Sequence, residues 1–361
     1  MKASEFVSNI ELELPKSGSV SWKSPSNIAL VKYWGKKLNQ IPANPSISLT
    51  LDACHTKTSV QFQEITQEQQ NFSFDLFFEG EEKPAFKPKI QTFFERIESF
   101  VPFLKKYHFT IHTSNSFPHS SGIASSASGM AALALCLMEI EQKALPEMTE
   151  DFFYRKASFL ARLGSGSACR SIRGSLVQWG MHKPIPESSD LYGITYPFEV
   201  NEVFEDYHDT ILLVHKGQKT VSSTVGHGLM EGHPFAINRF EQAHSNLNAL
   251  KSIFAEGNLA EFIKIVESEA LTLHAMMMTS HPYFLLMKPD TLAILEKIWN
   301  FRRETGLHAC FTLDAGANVH LLYPSSQKER TIQFVQDELV AHCENGHYIC
   351  DRVGNGSKRL M

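Results

Sequence analysis

The chain has 361 residues, 43% hydrophobic and 20% charged, the usage of a folded protein with a substantial core rather than a disordered or fibrous one. Lys and Arg total 34 against 39 Asp and Glu, so the net charge of −5 gives no general attraction to nucleic acid or to an anionic membrane, and neither is expected as a partner. The longest apolar run, Met130 to Met138, is too short to cross a bilayer, so any anionic ligand must be met by a local site.

Residues 1–18 read as a polar extension without the continuous apolar core or cleavage pattern of a secretory signal. The six cysteines are scattered without a disulfide framework, as expected of reduced thiols, and the expected compartment is the cytoplasm. Several strands are predicted between Ser19 and Phe62. In PSISLTLDA the residues Ile47, Leu49 and Leu51 alternate with Ser46, Ser48 and Thr50, and NFSFDLFF repeats the pattern through Phe72, Phe74, Leu76 and Phe78. A helix is predicted over Lys89 to Lys106, then a strand at FTIHTS, then a helix rich in Ala, Ser, Leu and Met over Gly122 to Gln142. A strand at LVQWG leads to a surface loop at KPIPESSD.

In the C-terminal half Phe240, Leu247, Leu250 and Phe254 define one helical stripe, and Phe262, Val266, Ala270 and Leu273 the next. A third helix runs from Asp290 to Gly306. FTLDAGANVHLLYP reads as strand, turn and strand, followed by a helix over Glu329 to His342. The expectation is an α+β chain whose domains span 19–200 and 201–361.

Four segments carry chemistry. FPHSSGIASSASG places Gly122, Ser125 and Ser126 at a helix start, where backbone N–H groups and hydroxyls suit a nucleotide phosphate or its metal; the same small residues also suit a close helix contact. RLGSGSACRS concentrates Arg162, Ser165, Ser167 and Arg170, with Arg170 able to clasp an oxyanion in a two-point fork and Arg162 equally suited to a structural ion pair. KYWGK sets Lys32 and Lys36 beside Tyr33 and Trp34, cations for a polyanionic substrate or simply a solvated face. Asp314, in LDAGANVH, suits a general base, a metal ligand or a turn-forming carboxylate. Cys343, His347 and Cys350 lack the spacing of a usual zinc site, and no metal ligand is assigned.

Together the four segments resemble the GHMP kinase superfamily and, within it, the mevalonate diphosphate decarboxylase family. The phosphate loop corresponds to Pro118 through Ala127, including Ser121, Gly122, Ile123, Ala124, Ser125 and Ser126; the NIAxxKYWGK run to Asn27 through Lys36; GSGSACR, with Ser165, Gly166, Ser167, Ala168, Cys169 and Arg170, is unchanged. The DAGPN segment stands as Asp314 to Asn318 with Ala317 for Pro, and Ser223 to Gly226 resembles the substrate-side STVG loop. The resemblance implies a fold with a ribosomal-protein-S5-like N-terminal part and a ferredoxin-like C-terminal part around a deep cleft. It implies ATP and Mg2+ as cofactors and a mevalonate phosphate as substrate, phosphorylated on its 3-hydroxyl and then decarboxylated. Asp314, Lys32 and Arg170 take catalytic roles; Tyr33, Trp34, Gly35, Lys36, Ser165 to Arg170 and Thr224 contact substrate. Homodimers are common in that family. The chain departs from the pattern at Asn44-Pro45-Ser46, where the family has NSS, and at His227, where methionine follows the STVG glycine. The resemblance leaves open a decarboxylase of the 5-phosphate or 3,5-bisphosphate, a GHMP small-molecule kinase and, remotely, a non-catalytic binding protein.

Overall fold

The computed structural model describes the chain except residues 1, 9–12, 67–69, 119–122, 217–222 and 361, and at 223 and 224 it describes the backbone alone. Two sheets organise it. The first contains β1 (Ser17–Val31), β2 (Ser46–Glu64), β3 (Ser73–Phe78), β4 (Glu81–Glu82), β5 (Tyr107–Asn115), β6 (Leu176–Trp179) and β7 (Ile194–Thr195). The second contains β8 (Tyr207–Leu212), β9 (Cys310–Thr312), β10 (Val319–Pro324) and β11 (Tyr348–Arg352). The last strand, β12 (Lys358–Leu360), returns to the first sheet, whose order is β12-β1-β2-β5-β3-β4, with β6 joining β2 to β7. Within it only β3 and β5 run parallel. The second sheet has the order β11-β8-β10-β9 and is antiparallel throughout.

The helices are α1 (Lys87–Ile97), α2 (Ser125–Ala144), α3 (Glu150–Gly164), α4 (Ser223–Gly228), α5 (Ala236–Glu256), α6 (Leu259–Met278), α7 (Pro289–Thr305) and α8 (Lys328–Phe334). The composition of α2 follows from its place: it is buried on nearly every side by α3, β1 and β2, so small and apolar residues are required all round. The predicted helix over Lys89 to Lys106 stops at Ile97, because Pro102 disfavours helical backbone at Val101 and the chain turns before β5. Gly306, at φ 70°, ends α7 in the left-handed conformation that glycine adopts freely.

The alternation in β2 is present, but both faces are buried. Ser46 and Thr50 face polar partners rather than water, Thr50 donating to the Gly354 carbonyl at 2.7 Å, while Ser48 Oγ is buried without one. The N-terminal extension is anchored as well. Phe6 is fully buried, its ring stacked on Phe159 at 4.7 Å. Asp351, at the end of β11, accepts the backbone N–H groups of Asp52, Ala53 and Cys54 at 2.7–3.0 Å, tying the second sheet to β2.

Candidate active site

A cleft of about 660 Å³ gathers the KYWGK, GSGSACR and LDAGA segments and the start of α2. Lys32 follows the last residue of β1, and Asp314 lies in the turn between β9 and β10. Lys32 Nζ is 3.3 Å from Asp314 Oδ1, with the lysine side chain 2% and the aspartate 31% exposed. Burial pushes the ammonium down from its ordinary value, while Asp314 and Glu269 hold it up. A buried cation beside a solvent-facing carboxylate suits a reaction that moves a proton to that carboxylate and negative charge past that ammonium.

The Lys32 backbone is held on both sides. Its N–H donates to Glu269 Oε2 at 2.8 Å, and its carbonyl accepts from Arg239 Nη2 at 3.0 Å and Asn44 Nδ2 at 2.9 Å. Arg239 and Glu269, from α5 and α6, form a fully buried pair at 2.5 Å. On the other side of the acid, His274 of α6 bonds the Asp314 carbonyl through Nε2 at 3.1 Å.

Arg170 sits in the tight helical turn after α3 and is buried. Its Nη1 donates to Ser46 Oγ at 2.5 Å, its Nε to Asn27 Oδ1 at 3.4 Å, and it lies 5.8 Å over the Trp179 ring. Asn44 and Ser46, which flank the proline departure, thus retain polar roles against Lys32 and Arg170. Ser167 and Arg170 share the cleft face of the turn at an i, i+3 spacing, whereas Ala168 and Cys169 point into the core and do not line the cleft. Their side chains pack in the core. The Tyr33 hydroxyl is buried without a hydrogen-bond partner, and its pKa is raised, chiefly by burial. Trp34 and Lys36 line the cleft; Gly35, at φ 93°, turns the chain where a Cβ would press on Phe240 and Ala43.

At the α2 end, Ala124, Ser125 and Ser126 line the cleft, and Ser126 Oγ is 3.3 Å from Ser165 Oγ. Ile123 is a core residue whose carbonyl accepts from Ser26 Oγ, and Pro118 lies outside the lining. Ser121 and Gly122 fall outside the described residues, as does the Thr224 side chain. Beyond Ser125 and Ser126 the cleft meets a largely apolar cavity of about 190 Å³ walled by β2, β3, β5, α1 and α2, with Ile90, Ile111, Met130 and Leu133 among its walls. It has the character of a pocket for a flat ring attached to phosphates.

The sequence reading missed α1's contribution. Lys89, Thr92, Phe93 and Arg96 reach the cleft, and Arg96 Nη1 also bonds the Leu163 carbonyl at 2.9 Å. Their spacing of three, one and three residues is a helical stripe, the signal that could have found them. Among the described residues no group of three His, Cys, Asp or Glu side chains could hold a metal, so Cys343, His347 and Cys350 form no such centre.

Two cleft-side histidines set an acid dependence. Burial lowers the His227 imidazole to about 3 and the His274 imidazole to about 4, from 6.5. Between those values and 6.5 the unfolded chain binds more protons, so stability is fully present above about pH 6.5 and is lost as the pH falls toward 4 and then 3. Urea unfolding at pH 7 and pH 5 is expected to show a loss of about 2 kcal/mol for each histidine. Equal stability at the two pH values, together with that of a His274→Gln variant, would show that neither ring is held neutral.

The comparisons with known proteins agree with this geometry. The family described as diphosphomevalonate decarboxylase-like N-terminal domain matches residues 24–190, and the mevalonate 5-diphosphate decarboxylase C-terminal domain matches 210–356. The chain belongs to the diphosphomevalonate decarboxylase family. The diphosphomevalonate decarboxylase of Ganoderma lucidum is 29% identical over 329 residues, 86% of this chain and 80% of that protein; the Homo sapiens enzyme is 26% identical over 83% and 75%. Among solved structures, MDDEF in complex with MVAPP, AMPPCP and magnesium has a TM-score of 0.81 at 27% identity, covering 95% of this chain and 99% of that one. The mevalonate diphosphate decarboxylase of Staphylococcus aureus also has a TM-score of 0.81, at 26% identity over 96% and 98%. The two-part α+β architecture is therefore that of the diphosphomevalonate decarboxylases, a GHMP kinase fold. No helix among the described residues is long and apolar enough to cross a membrane.

Proposed function

We propose that this diphosphomevalonate decarboxylase converts mevalonate 5-diphosphate and ATP to isopentenyl diphosphate, ADP, phosphate and carbon dioxide. The observation that carries the reading is the Lys32–Asp314 pair, an acid beside a buried cation in a cleft whose other charged lining groups among the described residues are Lys36, Lys89, Arg96 and Arg170. Asp314 takes the proton of the 3-hydroxyl as its oxygen attacks the γ-phosphorus and the bond to the leaving ADP oxygen breaks. Lys32 offsets the charge on the phosphoryl oxygens in flight. A tertiary hydroxyl leaves poorly, whereas from the phosphate ester inorganic phosphate departs with the C–O bonding pair; the electrons of the carbon–carboxylate bond then form the alkene and carbon dioxide is lost. Retention of both Lys32 and Asp314 favours the complete reaction over a kinase that stops at the phosphate ester.

The nucleotide fits the apolar cavity and the α2 N-terminus, where Ser125 and Ser126 meet its phosphates. Mg2+ would be held with the nucleotide phosphates near Ser126, where it would supply neutralisation of phosphate charge. We place the protein in the cytoplasm, where its unpaired thiols, five of them buried, are kept reduced.

The test incubates purified protein with ATP, magnesium and each mevalonate phosphate in turn, following ADP and carbon dioxide separately. Stoichiometric ADP and carbon dioxide from mevalonate 5-diphosphate are expected. ADP without carbon dioxide would make the chain a kinase, and carbon dioxide from the 3,5-bisphosphate without ATP consumption would assign it to a different decarboxylase.

A further inference from the structure

Where the family resemblance places methionine, this chain carries His227. Helix α4 brings that imidazole into the cleft between Tyr33 and Trp34, with ring centroids 4.2 and 4.6 Å away. Gly226 permits the approach, since a Cβ there would lie 2.7 Å from the Trp34 ring. The Gly35 backbone N–H donates to His227 Nδ1 at 3.0 Å. A ring nitrogen that accepts carries no proton, so in the neutral imidazole the hydrogen is on Nε2. Nε2 has no acceptor among the described residues, although His227 is more than nine-tenths buried and forms part of the cleft wall. The Nε2–H is thus left without a partner among the described residues at the cleft wall, where a ligand oxygen can accept it.

The surrounding charges indicate which part of a ligand that is. After burial itself, the influences on His227 are the cations Lys36 and Arg170; those on Lys32 are headed by Asp314. Bonded to the Gly35 backbone beside Lys36 and set against Tyr33 and Trp34, the imidazole serves the anionic arm of the substrate that Lys36 meets. The same two cations, with burial, keep the ring neutral, so it acts as a directional donor and adds no charge. Methionine supplies bulk at this place but no donor.

We propose that His227 is a specificity-determining residue that donates its Nε2–H to a phosphoryl oxygen of the substrate's diphosphate. The assignment rests on the mevalonate 5-diphosphate reading above. It is tested with His227→Met, which keeps the bulk and removes the donor, and His227→Gln, which restores an N–H near the same place. In steady-state kinetics His227→Met is expected to raise KM for mevalonate 5-diphosphate roughly tenfold or more, the scale of one lost hydrogen bond to a charged group. The fall in kcat should be smaller, KM for ATP and Tm should hold, and His227→Gln should recover most of the loss. An unchanged KM in His227→Met, or a loss that follows Tm and is not recovered by Gln, overturns the assignment. Calorimetric titration with inorganic diphosphate separates this from the function itself. Failure of the wild type to decarboxylate mevalonate 5-diphosphate sinks the reading of the reaction, whereas equal diphosphate affinity in wild type and His227→Met sinks the contact.

Discussion

Asp314→Asn is expected to slow phosphoryl transfer by roughly two to four orders of magnitude, the usual scale for losing general-base assistance. The exchange keeps the size and planar shape of the side chain and removes its charge and basicity. Asp314 lies in the turn between two buried strands, with its carbonyl bonded to His274 and 31% of its side chain open to the cleft, so asparagine fits without repacking. Nucleotide binding, made at the α2 end, should survive. Because decarboxylation follows phosphorylation, ADP and carbon dioxide release must fall in step. Single-turnover measurements of both products decide the matter: a folded variant that binds ATP and keeps near-native turnover leaves Asp314 as a turn-forming residue.

Lys32→Met should cost a comparable amount, roughly two to three orders of magnitude in kcat, by removing a fixed, buried cation from the reacting phosphoryl group. Stability is expected to behave differently. Lys32 is almost wholly buried and burial already works against its charge, while the partner left behind is open to solvent. An unbranched apolar chain in that slot should therefore leave Tm within a few degrees of the wild type. If the two groups act as a unit on one proton and one phosphoryl group, the double variant Lys32→Met, Asp314→Asn will be little slower than either alone. Losses that multiply, or a kcat that Lys32→Met leaves near native, would show that the lysine plays no part in the chemistry.

Lys32, Arg170 and Asp314 were legible in the sequence because each sits in a compact run whose residue types are costly to keep without a ligand. Legibility stopped at the orientation of neighbours within a run. In GSGSACR a contiguous motif reads as one contact surface, yet the turn sends Ser167 and Arg170 one way and Ala168 and Cys169 the other. Lys89 and Arg96 escaped for the opposite reason: charges at helical spacing usually belong to a solvated face, and only the position of α1 against the cleft distinguishes them. Arg239 and Glu269 are likewise single charges in amphipathic helices, and nothing local shows that they meet in the interior around the Lys32 backbone. Among the elements, β2 and the α5–α6 pair were readable from periodicity, whereas β12, with two exposed basic residues out of three, has no pattern to read.

That last strand has a consequence for how the molecule is made. Lys358 to Leu360 pair with Ser21 to Lys23, so two segments far apart in sequence close against each other, after β11 has already joined the other sheet. Arg359 pairs with the buried Glu139 of α2, which also accepts from the Trp22 indole at 2.6 Å. Synthesis therefore delivers this edge of the first sheet after every other described strand, and Ser21 to Lys23 of β1 wait for β12 on that side. Folding of the first sheet is coupled to a segment distant in sequence, a long-range closure of the kind that slows assembly and makes it cooperative. Split at the middle into two polypeptides, the N-terminal piece would carry an open strand edge that invites association with another copy.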